Sequence, residues 1–293
     1  MLKSAELQVA AVQMVSGQSV ADNLAQARGL LEQAAAADVR LAVLPENFGF
    51  LGATEAAKLA VAEADGDGPM QAFLAEQARR LGLWLVGGTL PLRGETAKRV
   101  RAACLVYSPE GRRVARYDKM HLFDVEVGEG ESYRESASLE PGGEPVVVET
   151  GAGRVGLSVC YDLRFPELYR ALVARGAELL VVPSAFTATT GAAHWEILLR
   201  ARAVENLCHV VAPNQGGHHP GGRETYGHSM VVDPWGRLQA QWDTGPGLAQ
   251  AVVTAASRDA LRRRFPVLDH RRINREATVS VAPAGGMHEA GHE

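Results

Sequence analysis

The chain of 293 residues is poor in several features that would each point to a class of protein. No apolar run approaches the roughly 18 residues of a membrane-spanning helix, so no membrane partner is expected. Cysteine is scarce: Cys104, Cys160 and Cys208 are odd in number and far apart. That excludes a disulfide framework and suits a reducing cytoplasm. The first residues, MLKSAELQVAAVQM, lack the basic flank and long apolar core of a secretory leader. The formal net charge of −4 leaves no electrostatic footprint for nucleic acid. The histidines show no zinc-ligand spacing such as His-Glu-x-x-His, so neither a metal nor another cofactor is expected. His218-His219 falls in a Gly/Pro-rich loop and reads as solvated.

What is present is a composition 46% hydrophobic and 22% charged, enough for a substantial core. The stretch RVGLSVCYDLRFPE, from Arg154 to Glu167, is the most informative. Val155 to Val159 suits a buried strand. Pro166 then opens a run with helical spacing, and proline fits a first helical turn. Cys160 is therefore expected at a strand-to-helix turn, the edge where open α/β sheets bind ligands. A lone cysteine there is also compatible with an inert buried thiol.

Along the chain, Leu7 to Met14 reads as a strand and Asp22 to Ala37 as a helix with Asp22 as N-cap. Leu41 to Leu44 is a short strand running into Pro45-Glu46-Asn47-Phe48. Glu55–Ala64 and Gln71–Arg80 read as helices, and Leu83–Gly87, Ala102–Tyr107 and Arg112–Lys119 as strands. Met120 to Pro145 shows no period and reads as a long loop, of the kind that is either functional or disordered. The second half repeats the plan. Leu179 to Phe186 (LLVVPSAF) echoes Leu41 to Phe48 (LAVLPENF), and Ser229 to Gly236 (SMVVDPWG) echoes Cys104 to Gly111 (CLVYSPEG). Val155–Val159 takes the place of Val9–Val12, and the helix His194–Asn206 that of Gln71–Arg80. The expected architecture is α/β, a four-layer αββα sandwich with an internal pseudo-twofold repeat. Residues 1–283 are expected to form one domain, and 284–293 a disordered tail.

The polar residues are not repeated. Glu46 has Ser184 as counterpart and Lys119 has Thr244. A carboxylate after an apolar strand is costly unless paired or used. A thiol nucleophile needs a base or a positive environment. Taken singly, Glu46 reads as a helix cap or a member of an ion pair, and Lys119 as a solvated edge lysine.

Taken together, three motifs resemble the nitrilase superfamily of carbon–nitrogen hydrolases: Leu44 to Phe48 (LPENF), Tyr117 to Asp124 (YDKMHLFD) and Cys160 to Glu167 (CYDLRFPE). Two further stretches, Thr190 to Glu205 and Tyr226 to Gly236, are similar to its Nit branch. The resemblance implies a nitrilase fold and a Glu46–Lys119–Cys160 triad. Glu135 is implied as a second glutamate, with Glu129 and Glu131 as competitors across the irregular loop. Glu46 then serves as general base and acid, Cys160 as nucleophile, and Lys119 with the N–H of Tyr161 as oxyanion donors. The Cys-Tyr-Asp start departs from the Cys-Trp-Glu of true nitrilases and argues against nitriles.

The expected reaction is hydrolysis of the amide of a small carboxylate substrate through a thioester, deaminated glutathione first among candidates. Omega-amidase action on 2-oxoglutaramate, or N-carbamoyl amino-acid hydrolysis, are the alternatives. Arg164 or Arg202 are candidates for the acyl carboxylate, and Arg223 in the loop GGHHPGGR for a leaving-group carboxylate. The resemblance also implies a homodimer or higher homo-oligomer. Two rivals remain: a cysteine–histidine enzyme using His194 or His228, and an inactive binding scaffold. Trp195, Leu198, Leu199 and Arg202 share one helix face with mainly packing contacts, and Cys104 and Cys208 read as packing residues. Glu196 and Arg200 are spaced to pair, and Arg262 to Arg264 read as a solvated helix end.

Overall fold

The computed structural model describes residues 6–128, 131–151 and 153–273. The first half of the chain gives β1 (Glu6–Gln13), α1 (Val20–Ala36), β2 (Leu41–Val43), α2 (Pro69–Leu81), β3 (Trp84–Val86), β4 (Leu90–Arg93), β5 (Val100–Tyr107), β6 (Arg113–Asp118), β7 (Asp124–Gly128), β8 (Glu131–Arg134) and β9 (Val147–Thr150). The second gives β10 (Gly153–Leu157), α3 (Pro166–Ala174), β11 (Leu179–Val181), α4 (Ala188–Asn206), β12 (His209–Ala212), β13 (Ser229–Val232), β14 (Leu238–Trp242), β15 (Gly247–Thr254) and α5 (Ala255–Arg264).

Two sheets result. One runs β15-β1-β2-β3-β5-β4 with β6 also on β5, and the other runs β14-β13-β12-β11-β10-β9. β1, β2 and β3 are parallel, as are β10, β11 and β12. The middles of the central strands, such as Val9–Val12, Leu41–Val43, Val155–Leu157, Leu179–Val181 and Val210–Ala212, are apolar without a break because both faces are covered. Val9, Ala11, Leu41, Val43, Cys104 and Val106 share a core with Val155, Leu157, Val181 and Val231 of the other sheet. The alternate residues Ala10, Val12, Ala42, Leu44, Ala103 and Leu105 pack beneath α1 and α2. A strand side chain alternates between faces, so each central strand contributes to two layers. α3 and α4 cover the outer face of the second sheet, giving the αββα order. Among the described residues no helix is long and apolar enough to cross a membrane.

The repeat contains an exchange that the sequence pattern does not display. β9 ends the first half but pairs with β10 of the second sheet, and β15 ends the second half but pairs with β1 of the first. Each half completes the other's sheet, through eight register pairs from Glu6↔Thr254 to Gln13↔Gly247 in the case of β15.

Several local expectations change. The N-cap of α1 is Ser19, whose hydroxyl accepts from Asp22 N–H, so Asp22 belongs to the first turn. Glu55–Val61 is a 3-10 helix rather than an α-helix. The stretch read as a long loop contains a hairpin, β7 with β8, and a 3-10 turn at Glu135–Ala137. α4 begins at Ala188, capped by Thr187, six residues before His194. His219 is buried, bonded to Ser16 O at 2.8 Å and Thr225 Oγ1 at 2.7 Å, whereas His218 is solvated. Arg262 is not a solvated helix end: it donates to Leu207 O and Asn206 O, the orphan carbonyls where α4 stops. Residues 284–293 lie outside the described residues.

Candidate active site

Three strand ends meet at one edge of the sandwich. β2 delivers Glu46 through Leu44-Pro45. Asn47 then turns with φ of 59°, its N–H held by Thr89 Oγ1 at 2.9 Å. Gln215 fixes the Glu46 carbonyl from the other half at 2.9 Å. Gly88 is required beside this turn: its φ is 56°, and any side chain there would collide with Pro45 O. β6 delivers Lys119, whose N–H donates to Ala102 O at 3.0 Å. β10 leads to Cys160, which opens a 3-10 turn over Cys160–Arg164 with a φ of 48°. A non-glycine residue in that left-handed region is strained, and such strain collects at functional turns. The Cys160 N–H is held by Pro183 O at 2.9 Å, and Asp162 N–H by Val159 O at 3.0 Å.

The side chains converge. Lys119 Nζ lies 2.8 Å from Glu46 Oε1, and 3.0 and 2.8 Å from the two oxygens of Glu135. Glu135 also accepts the Phe123 N–H at 2.8 Å. Lys119 is 1% exposed, Glu46 2% and Glu135 5%, so the cation is buried between two carboxylates. A buried charge of this kind is tolerated only when so paired. Burial by itself pushes the Glu46 carboxyl up, but Lys119 beside it outweighs that and holds it below the ordinary value. Lys119 is pushed well up: burial opposes its charge, and the carboxylates of Glu135 and Glu46 more than compensate. Burial, with Glu46 next to it, pushes the Cys160 thiol well above its usual range. The resting state is therefore a neutral thiol hydrogen-bonded to an ionised carboxylate. Such a pair can pass the thiol proton to the carboxylate as sulfur attacks a carbonyl carbon.

These groups line a chamber of about 280 Å³ with Tyr161, Phe123, Arg164, Phe186, Thr190 and Arg223. Of the loop glutamates, Glu135 enters the cluster. Glu131 instead accepts from Tyr133 Oη at 2.8 Å and Thr189 Oγ1 at 3.2 Å, and Glu129 lies outside the described residues. Arg164 reaches the chamber, with its guanidinium over the rings of Tyr161 and Phe186 at 5.8 and 5.4 Å. Arg202 does not. It is buried beneath α4, donating to Leu163 O at 3.0 Å and pairing with Glu205 at 2.8 Å, so it is a packing residue rather than a substrate contact. His194 lies 3.3 Å from Arg164, and the His228 ring bonds to Tyr226 O at 2.8 Å; neither borders the chamber.

A profile of the carbon-nitrogen hydrolase family matches residues 8–263. The chain belongs to the carbon-nitrogen hydrolase family. It is 44% identical over 266 residues to the deaminated glutathione amidase of Synechocystis, covering 89% of this chain and 97% of that one. The human deaminated glutathione amidase is 42% identical over 274 residues, covering 92% and 84%. Saccharomyces cerevisiae Nit3, described as a member of branch 10 of the nitrilase superfamily, superposes with a TM-score of 0.83 at 30% identity, covering 92% and 97%. The αββα layering is the nitrilase fold, and the chain is an amide-directed hydrolase of that superfamily.

Sequence reading missed one residue that organises this hydrolase site. The Asp162 carboxylate is fully buried and accepts four donors: Tyr117 Oη at 2.7 Å, Val159 N–H at 2.8 Å, His121 N–H at 3.1 Å and the His121 ring at 2.7 Å. It thereby ties the strand that carries Lys119 to the turn that carries Cys160. The His121 ring also stacks on Phe165 at 3.7 Å. The only signal in the sequence was an acidic residue two places after the cysteine, and its partners lie 41 and 45 residues away.

Proposed function

We propose that this hydrolase cleaves deaminated glutathione to 2-oxoglutarate and cysteinylglycine through a thioester on Cys160. The observation that carries the chemistry is the buried Lys119 Nζ held 2.8 Å from both Glu46 and Glu135 in the chamber that Cys160 lines. Glu46 takes the thiol proton as Cys160 Sγ bonds to the amide carbon. The oxyanion forms between Lys119 Nζ and the Tyr161 N–H, whose neighbours on either side are already committed to Pro183 O and Val159 O. Glu46 returns the proton to the departing nitrogen, and the C–N bond breaks. Water then enters, Glu46 takes one of its protons, and hydroxide bonds to the thioester carbon. Collapse releases the acid, and the thiolate recovers its proton from Glu46. Glu135 keeps Lys119 aimed at the oxyanion. Arg164, which makes no ion pair within 4 Å among the described residues, suits the carboxylate of the acyl group.

The likeness to deaminated glutathione amidases supports that acyl group. The test compares kcat/KM for deaminated glutathione with that for 2-oxoglutaramate, which forms the same thioester but releases ammonia. The first is expected to be faster. A tenfold preference for 2-oxoglutaramate, about 1.4 kcal/mol, would make the chain an omega-amidase instead.

Assembly and placement belong to the same reading. Ile197, Val204, Trp235 and Leu238 are exposed apolar side chains along α4 and the β13–β14 turn, a patch suited to a second copy of the chain. Sedimentation at micromolar concentration is expected to give a dimer or larger; a lone 31.3 kDa species overturns this. We read the described residues as one hydrolase domain, and a reducing cytoplasm as the compartment that suits three free cysteines.

A further inference from the structure

The chamber is small for the whole of a peptide-like amide. It suits an acyl group, while a dipeptide leaving group extends about 7 Å further. A second, more open cleft of about 1150 Å³ adjoins it, between residues 52–55, the β8 end of the hairpin, the start of α4 and residues 221–224. Arg223 borders both spaces.

Arg223 is held in place from three sides. Its Nη2 donates to Ala185 O at 3.0 Å, its Nη1 faces Glu55 at 3.5 Å, and its guanidinium lies 5.3 Å from the Tyr133 ring centre. Its Nε is shielded from solvent and meets no acceptor among the described residues. Buried donors are ordinarily satisfied, so an open one at the junction of two cavities marks a place for a ligand acceptor. Behind it, the buried Lys58 ammonium pairs with Glu55 at 2.5 Å. Burial raises the Glu55 carboxyl, but Lys58 and Arg223 outweigh it and hold it at about 2. The Lys58–Glu55–Arg223 cluster thus keeps one positive charge in excess. The other carboxylates of the cleft are engaged elsewhere or solvated: Glu131 with Tyr133 and Thr189, and Glu224 at 3.9 Å from His218.

We propose that this cleft is the leaving-group subsite and selects amides whose leaving group ends in a carboxylate, with Arg223 pairing that carboxylate and Glu55 and Lys58 positioning Arg223. The proposal rests on the amidase reading above and adds what decides between its substrates. Three amides with one acyl group separate the two: 2-oxoglutaramate, deaminated glutathione, and deaminated glutathione with its terminal carboxylate converted to a carboxamide. Wild-type enzyme is expected to show at least tenfold higher kcat/KM on the carboxylate than on the carboxamide. Arg223→Gln should erase that preference and Arg223→Lys should keep part of it. Glu55→Gln should narrow it, a change in ratio that a general folding defect would not produce. Equal wild-type rates on carboxylate and carboxamide overturn the subsite, and this comparison needs no variant to fold. An Arg223→Gln loss shared equally with 2-oxoglutaramate overturns it too. Failure of wild-type enzyme on all three amides overturns the amidase reading instead.

Discussion

Leu41–Phe48 and Leu179–Phe186 run the same course at matching places in the two sheets and are put to opposite uses. After Pro45 the side chain of Glu46 reaches Lys119 at 2.8 Å. After Pro183 the side chain of Ser184 turns back on its own strand, donating to Val182 O at 3.0 Å; this stretch serves the site through Pro183 O, which holds the Cys160 N–H, and through the Phe186 ring in the chamber wall. The next pair of counterparts differs more sharply, since Lys119 is 1% exposed while Thr244 is solvent-exposed in the turn after β14. The repeated backbone places strand ends at a common edge. One long ionisable side chain in each of two strand ends gives that edge its buried charge cluster, and the short hydroxyl counterparts leave theirs uncharged.

The comparison can be broken most directly at the charged members. Cys160→Ala, Glu46→Gln and Lys119→Ala are each expected to lower amide hydrolysis by about a thousandfold or more, and pairs of these changes should cost little beyond the worst single one. Near-wild-type turnover by Glu46→Gln would remove the base from the mechanism and revive a cysteine–histidine reading. A smaller effect is expected where the two motifs are joined. Asp162→Asn loses a carboxylate that accepts from both segments, so kcat should fall about tenfold, about 1.4 kcal/mol. An unchanged kcat would mean that Lys119 and Cys160 hold their places without it. The smallest effect belongs to the scaffold counterpart. Ser184→Ala should cost about 1 kcal/mol of stability, a drop in Tm of a few degrees, with turnover within about twofold. A large loss of turnover there would show that the second strand end shares in the chemistry.

Much of the architecture was legible because it depends on short-range pattern. The apolar run Val9-Ala-Ala-Val12, the Pro166 helix start and the paired turns Ser108–Gly111 and Asp233–Gly236 act over a few residues, and each element formed close to its expected span. The β7–β8 hairpin escaped notice because Asp124–Arg134 carries mostly polar residues, whose pairing rests on backbone bonds and on Tyr133 packing against Phe123 at 5.1 Å. Arg164 and Arg202 show the limit within helical segments. Both follow apolar residues at suitable spacing, yet one faces the chamber and the other the underside of α4.

The sequence by itself determined which residues are chemically able: a cysteine at a strand-to-helix turn, a glutamate and a lysine at strand ends, and motifs in an order that names a superfamily. Tertiary structure alone decided that Glu46, Lys119 and Glu135 share one buried cluster across separations of 73 and 16 residues. It also decided that β9 and β15 cross to each other's sheets, and that Arg223 stands between two cavities. Local propensity acts through neighbours along the chain, whereas charge pairing and burial act through distance in space. Only packing the two sheets together brings those distances within reach.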